Sequence, residues 1–389
     1  MHFIHCFFES LKLGLTSFGG PVAHLAYFRD AYVERLKWLS DERFAELLAL
    51  CQFIPGPASS QLGASIGYEK GGWLGAIGAW LGFTLPSALL MILFVTGMDN
   101  LNEWIGSGWI RGLKIVAVAV VANAVIGMQR KLCPDVKGLS IALIVAAILI
   151  IFKAPWLQAL LIILGGFLGV ILFNKSEPAN SSIKQDNRSK HPWASLVVLG
   201  SFIIAVVFLS TAKFSNDETK MVAGLAKTGS MVFGGGHVVL PLLEAETVAK
   251  NIMSPDEFLA GYGLAQAVPG PMFTFGAYIG ALVGIDGSPW LGGTVGVIAI
   301  FLPGMLLLTI GMPIWNTYKN ISAISAALKG ASAAVVGLIL AALIYMLRAG
   351  VINNALEASI AIILAGIIYK KLIPVWLVVL SGIALGFVL

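Results

Sequence analysis

Two Pro-Gly-Pro triplets interrupt long apolar runs of this chain, Pro55-Gly56-Pro57 and Pro269-Gly270-Pro271. Proline removes a backbone donor and its ring clashes with the preceding turn, so a helix breaks at each triplet. A half-helix that restarts there presents unpaired N–H groups and about half a positive charge at its N-terminus. That is chemistry for holding an anion. Ser59, Ser60 and Gln61 follow the first triplet and Thr274 follows the second, adding hydroxyl and amide donors. Gln52 and Gln266 lie just before the triplets, each able to donate to an oxyanion or to bond a freed carbonyl. Phe18-Gly19-Gly20-Pro21 and Phe233-Gly234-Gly235-Gly236 mark a second break in each half. A break can also be a kink that helps helices pack, but two breaks, each recurring, favour a substrate site.

Charged groups near these breaks are few. Lys12 and Lys227 each sit seven residues before a paired glycine (Gly19, Gly234). An ammonium inside a membrane segment costs on the order of 3 kcal/mol, so these two lysines are candidates for holding substrate charge, with snorkelling to headgroups as the alternative. Lys114 and Lys329 each open an apolar helix and fit snorkelling equally well. Arg29 fits a solvated loop, and His24 and His237 do not align with each other, which fits interfacial or packing roles. Glu46 is the clearest carboxylate inside a span, and its counterpart is Ala260. The absence of a duplicated acid argues against a carboxylate proton pump.

The elements that must position these residues lie in a bilayer. Of 389 residues, 58% are hydrophobic and 12% charged, against about 25% charged in a soluble domain; the mean hydropathy is +0.89. Such a chain cannot cover its surface with polar groups, which excludes soluble enzymes and disordered proteins. The net charge of +5 is spread through short loops without a clustered basic face, so nucleic acid is not a partner. Cys6, Cys51 and Cys133 are scattered, suggesting neither disulfides nor a metal site, and no cofactor is expected. The N-terminus lacks the features of a signal peptide and is expected to be retained.

Apolar stretches near 3–21, 43–67, 73–97, 109–130, 138–152 and 155–173 precede a hydrophilic linker at 174–192. Stretches near 193–211, 221–236, 257–284, 290–315, 322–347, 352–369 and 372–389 follow it, about thirteen in all. The chain is a duplication: besides the breaks, Ser40-Asp41-Glu42 returns as Ser254-Pro255-Asp256-Glu257, Trp73-Leu74-Gly75 as Trp290-Leu291-Gly292 and Leu85-Pro86 as Leu302-Pro303, all offset by 214–217 residues. The expected fold is an all-α integral membrane protein of two homologous helical repeats with broken helices, 1–173 and 212–389, joined by the linker and an unpaired connecting helix at 193–211. That extra helix would invert the second repeat. Loop 29–43 carries Arg29, Arg35, Lys37 and Arg43 where loop 244–257 carries only Lys250, which agrees with inversion. Arg130, Lys131 and Lys137 disagree with simple parity, so some segments are expected to dip in and return.

Other patterns are decoys. Gly63-Ala64-Ser65-Ile66-Gly67 fits GxSxG but lies in an apolar helix, not on a strand–turn–helix elbow. The GxxxG runs at Gly71/Gly75, Gly78/Gly82 and Gly292/Gly296 are close-packing faces. No spaced nucleophile–base pair supports an enzyme.

The Phe-Gly-Gly-Pro motif, the Pro-Gly-Pro motif, the later Leu-Pro and their recurrence resemble the chromate ion transporter family in its long two-domain form. The likeness covers nearly the whole chain apart from the linker and the helix at 193–211; Gly236 and His237 replace the Pro21-Val22 of the first repeat. The resemblance implies export of chromate, with sulfate as a related ion, and chromate resistance; the residues by themselves reach only a small oxyanion. From the composition a multi-pass protein of the inner cell membrane is expected, with the lipid bilayer as a partner and a homodimer as a candidate assembly. A dianion leaving a cell through 100 mV gains roughly 4.6 kcal/mol, or about three decades of concentration, so export needs no coupled ion. A proton- or sodium-coupled sulfate or anion importer is the alternative.

Overall fold

The computed structural model describes residues 2–18, 20–105, 108–152, 155–173, 192–212, 214–232, 239–318, 322–348 and 350–387. The expected linker, apart from Pro192, together with Gly19 and the second-repeat motif Phe233 to Gly236 with His237, falls outside them.

The first half runs α1 (His2–Thr16), α2 (Gly20–Phe28), a π-helical turn (Arg29–Arg35), α3 (Asp41–Phe53), α4 (Ala58–Ile105), α5 (Gly108–Leu132), α6 (Val136–Ile151) and α7 (Pro155–Phe173). After α8 (Pro192–Thr211) come α9 (Asp217–Met231), α10 (Val239–Glu246), a 3-10 turn (Val248–Lys250) and α11 (Pro255–Ala267). A second 3-10 turn (Met272–Thr274) leads into α12 (Phe275–Val283), then α13 (Pro289–Tyr318), α14 (Ser322–Arg348), α15 (Ala355–Tyr369) and α16 (Val375–Gly386). Among the described residues the regular structure is helical, as the composition requires.

The repeated Ser-Asp-Glu motifs are helix starts. Ser40 caps α3 by accepting from the Arg43 N–H, and Ser254 caps α11 in a reciprocal capping box with Glu257. Both helices end the same way, at Ile54 (φ −81°, ψ 137°) and Val268 (φ −81°, ψ 136°), one residue before the prolines. A residue before proline is driven out of the α region, so the two breaks share one geometry.

α4 is not a single rod. Gly71 and Gly72 leave helical geometry (Gly72 φ 62°, ψ −153°), and the chain folds back. A Cβ on Gly75 would lie 2.1 Å from the Gly67 carbonyl oxygen, whereas eight residues of straight helix span about 12 Å. The arms 58–70 and 73–105 therefore form a hairpin. α12 and α13 repeat it around Gly284 to Ser288, with Gly292 equally close to the Gly280 carbonyl. Two of the three glycine runs are packing faces as expected: Gly78 and Gly82 admit the backbone of α1, and Gly292 and Gly296 that of α12. The third is corrected: Gly71 lies in the hairpin turn, so Gly71 and Gly75 do not form one helix face.

The sequence reading placed 29–43 and 244–257 wholly in loops. The structure corrects this: helix resumes after each first break, as α2 with its π turn and as α10 with its 3-10 turn. The short apolar stretches, interrupted by Pro21 and Pro241, hid these elements.

By length and composition, Ala58–Met98 (the hairpin), Gly108–Leu132, Pro289–Met312 and Ser325–Arg348 are apolar enough to cross a membrane. Ile144, Ile163, Phe167, Ile171, Phe208, Ile362 and Ile363 stand outward on the surrounding helices, an apolar exterior suited to lipid. The chain is a multi-pass membrane protein.

Candidate functional site

Each Pro-Gly-Pro turn is bonded to the opposite half of the chain. The Gly56 N–H donates to the Val232 carbonyl at 2.7 Å, and the Gly270 N–H donates to the Ser17 carbonyl at 2.9 Å. Val232 and Ser17 end α9 and α1 at equivalent positions, immediately before the first-break motifs. The triplet of one half thus closes the broken helix end of the other. Both glycines have positive φ, 133° and 97°, backbone that L side chains rarely adopt. A Cβ on Gly56 would sit 2.9 Å from the Gly304 Cα, and one on Gly270 2.9 Å from the Ser87 Oγ. Gly304 and Ser87 follow Pro303 and Pro86, so the repeated Leu-Pro marks the wall against which the opposite triplet rests.

The first restart keeps its donors available. Gln61 Nε2 donates to the Pro55 carbonyl at 3.0 Å and to the Gly304 carbonyl at 2.8 Å, closing the freed backbone. Gln61 N–H bonds Pro57, leaving the N–H groups of Ala58, Ser59 and Ser60 in the first helical turn without an intrahelical acceptor. Ser59 and Ser60 are buried, and the Ser60 Oγ has no hydrogen-bond partner among the described residues. At the second restart the Thr274 hydroxyl donates to the Pro271 carbonyl at 2.8 Å, so it is engaged locally. Gln266 is buried with Nε2 3.5 Å from the Met272 sulfur, while Gln52 is exposed. Pro269 and Pro271 are buried, and Gly20 opens α2 at φ 77°. Gly19, Gly234 and Gly235 lie outside the described residues.

Both lysines are held by carboxylates. Glu9 bridges Lys12 and Arg35, and Glu246 bridges Lys227 (2.6 Å) and Lys250. The cations are equivalent across the repeats, 215 residues apart in each case. The carboxylates are not. Glu9 stands on α1 where α9 has Gly224, and a Cβ on Gly224 would lie 3.0 Å from the Glu246 Cβ. The missing side chain at 224 makes room for an acid reaching over from α10. A carboxylate missing from the aligned position is therefore supplied from another helix at the equivalent place in space. Each cluster carries two cations and one anion, a net positive charge beside each first break. The first is more open, with the Lys12 side chain 60% exposed against 14% for Lys227.

Glu46 pairs with Arg43 at 2.9 Å, and exposed Arg29 pairs with Asp41 and Glu34. Lys114 bonds Asp256 at the start of α11, and Lys329 is exposed on α14.

Of the polar groups around the breaks, sequence reasoning named Gln61 as a donor and gave His24 an interfacial or packing role, and missed Ser17, Thr84 and Thr228. Among the described residues, Ser17 Oγ, both ring nitrogens of His24, Thr84 Oγ1, Gln61 Oε1 and Thr228 Oγ1 are buried without hydrogen-bond partners. Native interiors pair nearly all such atoms, so a cluster of unpaired ones marks places for water or a polar ligand. Ser17 neighbours Gly270 through its carbonyl; His24 packs edge-on against Phe83, 5.3 Å between ring centres, and Thr84 follows Phe83. The available signal was polar side chains inside apolar runs close to Phe-Gly-Gly-Pro and Leu-Pro.

A family model described as chromate transporter matches residues 4–170 and 219–387. A chromate transport protein of Pseudomonas aeruginosa is 27% identical over 354 residues, covering 87% of this chain and 80% of that protein. One from Cupriavidus metallidurans is 27% identical over 353 residues, 88% and 82% of the two chains. An uncharacterized transporter of Methanocaldococcus jannaschii is 27% identical over 326 residues, 82% and 77%. No solved structure matches this chain. Together with the doubled helical architecture, the match across both halves establishes a membrane transporter rather than an enzyme: this chain belongs to the chromate transporter family.

Proposed function

We propose that the chain exports chromate or a similar small oxyanion such as sulfate across the inner cell membrane, by alternating access, and so confers chromate resistance. The anion sits at the restart after Pro57. There the N–H groups of Ala58 to Ser60 and the hydroxyls of Ser59 and Ser60 replace its water, and Ser17, His24 and Thr84 supply further polar groups. The observation that carries this reading is the unpartnered buried Ser60 hydroxyl at a helix start. In a low-dielectric interior such a group is unfavourable until something binds it. The lysine clusters act as positive fields at the approaches, because their ammonium groups are already bridged by carboxylates.

The repeats 1–173 and 212–389, linked through 174–192 and the helix 193–211, stand in inverted orientation, so the two clusters serve opposite faces. The unequal Lys and Arg content of loops 29–43 and 244–257 supports this. The reciprocal bonds Gly56–Val232 and Gly270–Ser17 give the halves a shared hinge on which access can alternate. The names of the relatives support chromate as the substrate. A membrane potential alone drives a dianion outward.

The test is uptake of labelled chromate and labelled sulfate by reconstituted vesicles with the potential set to either sign. The reading expects uptake driven into the positive compartment. Uptake that ignores the potential contradicts it. One observation, the placement of Glu244, favours a second reading in which transport is coupled to protons.

A further inference from the structure

Glu244 lies on α10, two residues before the Glu246 that bridges Lys227 and Lys250. It lines an open cavity of about 210 Å³ formed by α10, the 3-10 turn and α14, with the ends of α6 and α7 contributing Phe152 and Gln158. Among the described residues no ion pair or hydrogen bond to its carboxylate is present. Its position matches Arg29 of the first repeat, which is ion-paired and exposed. The two halves therefore differ here: a permanent cation in solvent in one, an isolated acid at a cavity in the other.

The cavity holds further polar groups. Gln158 contributes a buried Oε1 with no hydrogen-bond partner, and the Tyr345 hydroxyl donates to the Leu149 carbonyl at 2.7 Å. A space of this size holds several waters, and these groups offer them partners. Gln158 and Ala245 also line a smaller cleft reaching Lys227 and Glu246, so the cavity adjoins the ion cluster. The charged or titratable groups around Glu244 are Glu246 on its own helix, Lys227 on α9, Lys250 on the 3-10 turn, and Tyr345 and Arg348 on α14. Lys153 lies outside the described residues.

We infer that Glu244 is a proton-binding site whose occupancy is linked to oxyanion binding, an inference that rests on the transport reading and adds a linked proton to its anion site. With Glu244 ionised, Lys227, Lys250, Arg348, Glu246 and Glu244 sum to +1; with Glu244 protonated they sum to +2. The protonated form presents the more positive approach and favours the anion, and by linkage a bound anion raises the proton affinity of Glu244 in equal measure. The step is a simple proton transfer, from cavity water to a carboxylate oxygen and back. Burial supports it by pushing the Glu244 carboxyl up to about 7, where both forms are populated at neutral pH.

Two measurements test this. The first is labelling of the purified protein by dicyclohexylcarbodiimide, which attacks protonated carboxyls in apolar surroundings, with Glu244 located by mass spectrometry from pH 5.5 to 8.5. Labelling at Glu244 should fall severalfold as pH rises through about 7, and 10 mM sulfate should move the midpoint upward (probe concentration roughly in excess of a weak site). The second is chromate uptake across the same pH range by wild type and Glu244→Gln. The wild type should lose affinity as pH rises; the variant, which mimics the protonated form, should transport with that dependence flattened. Absence of labelling at every pH, or an unchanged pH profile in Glu244→Gln, overturns the proposal. Intact pH-dependent labelling without chromate or sulfate uptake by wild type would remove the transport reading while leaving the proton site supported.

Discussion

The Gly56 N–H donates to the Val232 carbonyl across the two halves of the chain, and Gly270 with Ser17 repeats the bond in reverse. Inside a bilayer a backbone group freed by proline has no water to bond, so it must find protein. Here each half supplies what the other lacks. The exchange joins two broken helix ends to two Pro-Gly-Pro turns, and at the first restart the N–H groups of Ala58 to Ser60 have no intrahelical acceptor.

Replacing either glycine attacks this exchange directly. Gly56→Ala forces a Cβ into positive-φ backbone and to within 2.9 Å of the Gly304 Cα. Strain of this kind is worth roughly 1–3 kcal/mol. Thermal unfolding in detergent should shift down by several degrees (about 2–4 °C per kcal/mol for a large domain), with transport strongly reduced. Gly270→Ala should behave alike, by the pseudo-symmetry of the two turns.

Removing the Ser60 hydroxyl should separate binding from stability. The Oγ has no partner, so Ser60→Ala deletes an unsatisfied polar atom and should leave the melting temperature unchanged or slightly higher. If the hydroxyl donates to the anion, KM for chromate should rise about tenfold, the equivalent of one hydrogen bond. A lower melting temperature with unchanged KM would mean the hydroxyl is structural.

The two ion clusters invite a transplant. Glu246→Ala leaves Lys227, only 14% exposed, without its carboxylate, and both stability and transport should fall. Adding Gly224→Glu places the acid where the first repeat carries Glu9, in space vacated by Glu246. The double variant should recover a measurable part of both losses in the same assays. No recovery would show that the two clusters are not equivalent.

How far the sequence led can be seen residue by residue. The breaks at 54–57 and 268–271 follow from proline's missing donor, a local and obligatory effect, and the structure has both. The GxxxG faces at Gly78/Gly82 and Gly292/Gly296 likewise follow from side-chain size. The partners of the triplets were not legible, because Gly56 meets Val232 and Gly304 through contacts some 180 to 250 residues distant in sequence. Nor was the duplicated acid: aligning the repeats pairs Glu9 with Gly224 and Glu246 with Ala31, and only packing reveals that both carboxylates occupy one place. Lys12 and Lys227 read as free cations for the same reason. Of the polar groups at the first restart, Ser59 and Ser60 were found because they follow a proline. Thr84 and Ser17 were passed over, and His24 was read as interfacial or packing, because their unpaired state depends on neighbours from other helices.

The central claim is that the anion is held by donors opened at the proline breaks. Proline at 57 and 271 fixes the backbone at each restart and carries no N–H; alanine would supply an N–H able to bond the carbonyls of Phe53 and Ala267 and shift where the helix restarts, while Pro55 and Pro269 still end α3 and α11. The decisive measurement is labelled chromate uptake by proteoliposomes carrying Pro57→Ala with Pro271→Ala, in protein that inserts and remains monodisperse. The account predicts uptake no greater than that of empty liposomes. Uptake at the wild-type rate would contradict it.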